Sequence, residues 1–135
     1  MASALDTART DIESYVSSTW TATSIQWPDR PFTQPSTPWL RVTILFGEAY
    51  PLTMGGSGGS INEIVGVVQC DVFAIQGNGL GSVVQYADDA RTMLNQTTAG
   101  SVRLQVASGP VEVQGGRPDV TQLSVSCPFT IEESV

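Results

Sequence analysis

The chain contains neither histidine nor lysine. Those two absences remove the commonest acid/base group, the commonest metal ligand and the Schiff-base nucleophile together, and most hydrolase and metalloenzyme chemistry goes with them. Positive charge is scarce as well. Six arginines stand against 13 carboxylates, a formal net charge of −7, so a basic surface that grips phosphate is not expected. No apolar run approaches the ~20 residues a membrane-spanning helix needs, and the N-terminus is polar and acidic where a signal peptide would be apolar. The expected setting is a cytoplasm, without membrane association. Only two cysteines are present, Cys70 and Cys127, each inside an apolar strand pattern where a buried thiol behaves as a small hydrophobe. A bridge between them would need paired strands and an oxidising compartment.

What is there fits one compact domain over residues 1–135, with 41% hydrophobic content against 14% charged. Leu5, Ala8, Ile12, Tyr15 and Val16 recur at spacings of three and four, predicting an amphipathic helix over 3–19 capped by Ser3. A short strand is expected within 21–26. Leu40, Val42, Ile44 and Phe46 alternate with Arg41 and Thr43, which predicts a half-buried strand. The stretch 55–60, Gly-Gly-Ser-Gly-Gly-Ser, is expected as a flexible loop.

Residues 61–75 read as one extended segment. At ~3.3 Å per residue it would reach ~50 Å, far beyond the usual strand. Its apolar end fills both faces, which suggests a central strand, and Gly66 is a candidate bulge. A Gly-rich turn, 77–82, then opens a second helix on which Leu80, Val84, Ala87, Arg91 and Leu94 share a stripe. Three further strands are expected, around Val102, Leu104 and Val106, around Val111 and Val113, and from Leu123 to Ile131. Connections are too short for repeated βαβ crossovers. The expected class is therefore α+β, a mostly antiparallel β-sheet with two α-helices packed on one face.

Few constellations point to chemistry. The 77–82 turn imitates a phosphate loop, but Ser82 stands where glycine or alanine belongs and no lysine is available. Asp88 and Asp89 point about 100° apart on a helix, as a solvated face would, rather than sharing a ligand. Asp71, among apolar residues, would need a partner such as Arg41 or Arg103 if buried. No cofactor and no metal site is expected.

The most informative segment is Trp27-Pro28, Pro31-Phe32, Pro35 and Pro38-Trp39, running directly into the Leu40 strand. Proline fixes φ and deletes a donor, so the path is stiff, and the aromatics give rigid contact area. Such an arm either docks a partner or lies over its own core.

These residues, with Arg41-Val42, Gly47-Glu48-Ala49 and the Gly77-Asn78-Gly79-Leu80-Gly81 turn, resemble the family of tailed-phage tail terminator (tail completion) proteins over roughly residues 5–95. The resemblance implies a non-enzymatic virion subunit, assembled in the host cytoplasm. It would form a hexameric ring on the head-proximal end of the tail tube, end tube polymerisation and offer the surface that joins the head. Its implied partners are other copies of itself, the tail tube protein and the head–tail connector or neck protein, with DNA passing through the lumen unbound. Acidity fits such a lumen, because carboxylates repel phosphates. The 61–75 strand would supply an edge for pairing between neighbours. Interface residues expected on this reading are Trp27, Phe32, Trp39, Arg41, Met54 and Ile61. Two alternatives stay open: a neck or head-completion connector of the same virion, and a small α+β ligand- or nucleotide-binding module using the 77–82 turn.

Overall fold

A computed structural model describes residues 4–27, 30–33, 38–51, 61–75, 80–112 and 120–134. Helix α1 spans Ala4–Thr19 and buries Ala8, Ile12 and Val16, one residue per turn. Its other side is polar, with Arg9 bridging Asp6 at 2.7 Å and Glu13 at 2.6 Å. Helix α2 spans Leu80–Leu94 and buries Val83, Ala87, Ala90, Met93 and Leu94. Asp88 and Asp89 face solvent there, accepting hydrogen bonds from Arg91 and Gln85, as a solvated helix face should. The expected cap Ser3, the 55–60 loop and the 76–79 part of the glycine-rich turn lie outside the described residues.

Seven strands form the sheet: β1 (Ser24–Gln26), β2 (Trp39–Pro51), β3 (Ile61–Ile75), β4 (Thr98–Ala99), β5 (Val102–Leu104), β6 (Ser108–Glu112) and β7 (Val120–Ser134). Their order is β1-β2-β3-β7-β5-β4, with β6 also paired to β7. Only β1 and β2 run parallel; every other pair is antiparallel. The fold is thus α+β and sheet-dominated, as the patterning implies. The sheet curls, and β7 shares its second edge between β5, at Phe129 and Thr130, and β6, at Leu123, Ser124 and Ser126.

Alternation sorts β3 into two faces. Ile64, Val68, Cys70, Val72 and Ala74 point inward beneath both helices, beside Leu40 and Val42 of β2 and Leu123, Val125, Cys127, Phe129 and Ile131 of β7. Burying these side chains stabilises the fold by roughly 1.5–3 kcal/mol each, relative to leaving them in water. Tyr15 ties the helices together, its hydroxyl donating to the Met93 carbonyl at 2.7 Å. Asp11 pins α1 to the β4–β5 turn by accepting from the Ser101 amide at 2.9 Å and hydroxyl at 2.7 Å. Both cysteines are free and buried in this inner layer. Burial, with a smaller push from the Asp71 charge, raises the Cys70 thiol to about 12. Burial raises the Cys127 thiol to about 11, with a smaller lowering influence from the Gln105 backbone.

The expectation for Gly66 needs correction. β3 keeps an unbroken register with β7 through Gly66, and the register shift lies on β2, where Gly47 and Glu48 are accommodated between Phe46 and Ala49. Gly66 is there for room. A Cβ would sit 2.4 Å from the Phe129 ring and 2.5 Å from the Leu45 carbonyl oxygen, so only hydrogen lets Phe129 lie flat across β3. Downstream, β5 ends at Leu104 and Val106 is exposed rather than continuing that strand.

Candidate assembly surface

The outer face of the sheet, the one without helices, holds most of the expected interface residues. Strand alternation puts Trp39, Arg41, Thr43 and Leu45 there, opposite Phe73, Asp71, Gln69 and Val67 of β3. At one corner the indole of Trp39 stacks on Phe73 at 5.2 Å between centroids, Phe32 leans on Trp39 at 6.2 Å, and Val120 completes a small apolar cluster. The Trp39 Nε1–H donates to the Gln26 side chain at 3.1 Å, which satisfies the polar end of a ring that is only 2% exposed.

Beside that corner sits the buried carboxylate. Asp71 is fully buried and accepts from Arg41 Nη2 at 2.9 Å and from Gln69 Nε2 at 3.2 Å. Arg41 is one of the two partners expected for it; the other, Arg103, instead bridges Glu132 at 2.6 Å. The guanidinium also lies 4.9 Å from the Phe73 ring centre, so the cation is held between a charge and a π-face. Its Nε is buried without a hydrogen-bond partner among the described residues. A buried pair of this kind adds little net stability but makes loss of either member costly.

Both tryptophans of the proline-rich segment are buried against the subunit itself. Trp27, 9% exposed, belongs to the inner core beneath the helices, with Arg30 5.5 Å over its ring, whereas Trp39 is buried on the outer face. The two tryptophans therefore hold opposite faces of the sheet. Phe32 is half-buried, Arg41 keeps 37% of its side chain in solvent, and Ile61 is 37% exposed at the start of β3. Met54 lies outside the described residues.

A second correction concerns the pairing edge. β3 is flanked by β7 from Ile61 to Ile75 and by β2 from Asn62 to Phe73, and so has no long edge to offer. The open edge belongs to β2. β1 covers it only at Trp39, Leu40 and Arg41, and among the described residues no strand pairs with that side of β2 over 42–51. This stretch carries Leu45 at 52%, Phe46 at 38% and Tyr50 at 48% exposure. The Tyr50 hydroxyl donates to Glu48 at 2.6 Å, and that hydrogen bond, with the nearby charge, raises the phenol above its ordinary value. Sequence patterning misses this edge, because alternation ends at Gly47 while the strand continues through a bulge to Pro51.

The family model for the phage tail terminator protein matches residues 8–131. The chain belongs to the phage tail terminator family. Membership gives it a structural role in the phage tail and places it among the virion components of that tail. The match extends past residue 95, where the motif resemblance fades, to within a few residues of the end of β7. A solved structure with 20% sequence identity aligns over 94% of each chain with a TM-score of 0.67, so this tail terminator shares its fold. No curated protein matches the chain.

Proposed function

We propose that this tail terminator acts by shape: it closes a ring, of six copies, at the head-proximal end of the tail tube, ends tube growth and offers the head-joining surface without making or breaking bonds. The family match over residues 8–131 carries this reading. Physical features support it. Among the described residues, no helix lies on the outer sheet face and no strand pairs with the free side of β2 over 42–51, which leaves the subunit surfaces that a solitary protein would blunt. A formal charge of −7 favours passage of DNA over binding it. The buried thiols, raised well above neutral pH, stay protonated and unreactive.

On this reading the contact surface comprises Phe32, Arg41 and Ile61 together with Leu45, Phe46 and Tyr50, while Trp27 and Trp39 support it from beneath. The test is electron microscopy of infected-cell lysates made without this protein. Tubes of uncontrolled length or headless tails are expected; tails of normal length joined to heads would overturn the proposal. Purified protein that binds the portal-side adaptor but ignores tail tubes would move it to the neck.

A further inference from the structure

The large apolar side chains exposed among the described residues fall into two groups, apart from Leu5 and Val84, which sit singly on the helices. Leu45, Phe46, Tyr50 and Ile61 lie on β2 and the start of β3. Val106 and Val111, 59% and 64% exposed, lie on the connection into β6 and on β6 itself, across β3 and β7 from the first group. One sheet thus carries an apolar patch toward each of its two sides.

Each patch has a backbone to match. On the β2 side, residues 42–46 form a run of about the usual strand length before the bulge, with an open edge and no charged residue. On the β6 side, Pro110 has no N–H and the register with β7 shifts between Ser108 and Val111, so that edge is blunted against long strand pairing. Two unlike sets of exposed apolar side chains toward opposite sides of one sheet suit a head-to-tail contact between copies. A two-fold pairing of β2 with itself would cover the first patch and leave Val106 and Val111 in solvent.

We propose that the β2 edge of one copy, with Leu45 on its outer face and Phe46 on its inner face, packs against Val106 and Val111 of the next. The inference rests on the ring reading above and assigns its subunit contact. Repeated by rotation, a contact of this type closes a ring without leaving a free patch.

Site-directed cross-linking tests it. Leu45 and Val111 are exposed, so cysteine at either position leaves the core alone, and the buried native thiols stay out of the reaction. A short flexible bis-maleimide added to the L45C/V111C protein in the presence of tail tubes should give a ladder of dimers, trimers and higher species. An equimolar mixture of L45C and V111C single variants should stop at dimers joined through unlike positions. The ladder should be lost when either cysteine is omitted. Efficient cross-linking of L45C to itself would overturn the head-to-tail contact in favour of a two-fold one. Rings seen by microscopy with no L45C/V111C cross-link would overturn the assigned surface alone. Protein that stays monomeric on tubes would overturn both this contact and the ring.

Discussion

The two faces of this sheet are made by the same strands, yet they do different work. Inward-pointing residues of β2, β3 and β7 are almost all aliphatic or aromatic and most are buried under two helices, with Phe46 at the end of the β2 run left 38% exposed. Outward-pointing residues mix a packed aromatic corner, one buried ion pair and a remainder that is open, including Leu45 and Val111. Strand alternation can serve both because the period of two separates their requirements residue by residue. The inner face carries the stability of the subunit, and the outer face with its β2 edge is left available for neighbours.

If that division is right, the largest stability loss comes from crowding the inner face. Gly66→Ala forces a methyl group into the Phe129 ring and the Leu45 carbonyl, neither of which is a flexible side-chain end. A loss of about 3 kcal/mol in urea unfolding is expected, the upper part of the usual range for overpacking. Adding Phe129→Leu should recover part of it. A Gly66→Ala protein as stable as the parent would show that Phe129 does not lie where the inner face requires.

The outer face has one exception to its tolerance. Asp71→Ala leaves Arg41, partly solvent-screened, without its carboxylate, and about 2 kcal/mol should be lost; the effect is below that of a fully buried pair because over a third of Arg41 is exposed. Replacing both residues by leucine should cost less than removing Asp71 alone. If the double replacement is the worse of the two, the pair contributes more than charge compensation.

Much of this contrast is legible in the sequence. The α1 stripe, the long β3, the α2 stripe and the apolar alternation of β7 each follow from periodicity. The need of a buried Asp71 for arginine follows from electrostatics. Three things are not legible, all for tertiary reasons. Leu5 belongs to the helical stripe but ends 38% exposed in the first turn of α1, where the stripe leaves the core. Trp27 and Trp39 read as one arm, yet Trp27 joins the core beneath the helices while Trp39 packs on Phe73 at the outer face. The apolar end of 61–75 reads as a central strand and is one, but the pairing edge that the family resemblance assigns to it belongs to β2, which sheet order leaves open instead. Periodicity reports which residues share a face and is silent on which strand has a neighbour.

The dryness of the inner face has its own pH signature. Both thiols have folded values raised above 9, so above that pH the unfolded chain gives up protons that the folded chain keeps. Stability is therefore full below pH 9 and falls as pH rises toward 11, by about 1.4 kcal/mol per pH unit for each thiol involved. Urea midpoints between pH 8 and 10.5 check it, and Cys70→Ala should shallow the slope. An unchanged slope would mean that water reaches Cys70.

The smallest stability effect belongs to the open edge, where the contrast between faces is sharpest. Leu45 is more than half exposed and its side chain points away from the helices, so Leu45→Ser should leave the urea midpoint within about 0.5 kcal/mol of the parent. The same change removes the central apolar group of the proposed contact and places a hydroxyl where a neighbour would bury it. Loss of ring formation on tail tubes is expected, at unchanged monomer stability. The inner face offers the reverse control: Val72→Ala trims a fully buried side chain paired with Leu40 and Leu123, and at a temperature where the variant remains folded it should still assemble. Should Leu45→Ser unfold the monomer, or assemble as well as the parent, the separation of a structural face from an associating one fails at the residue where it is most exposed.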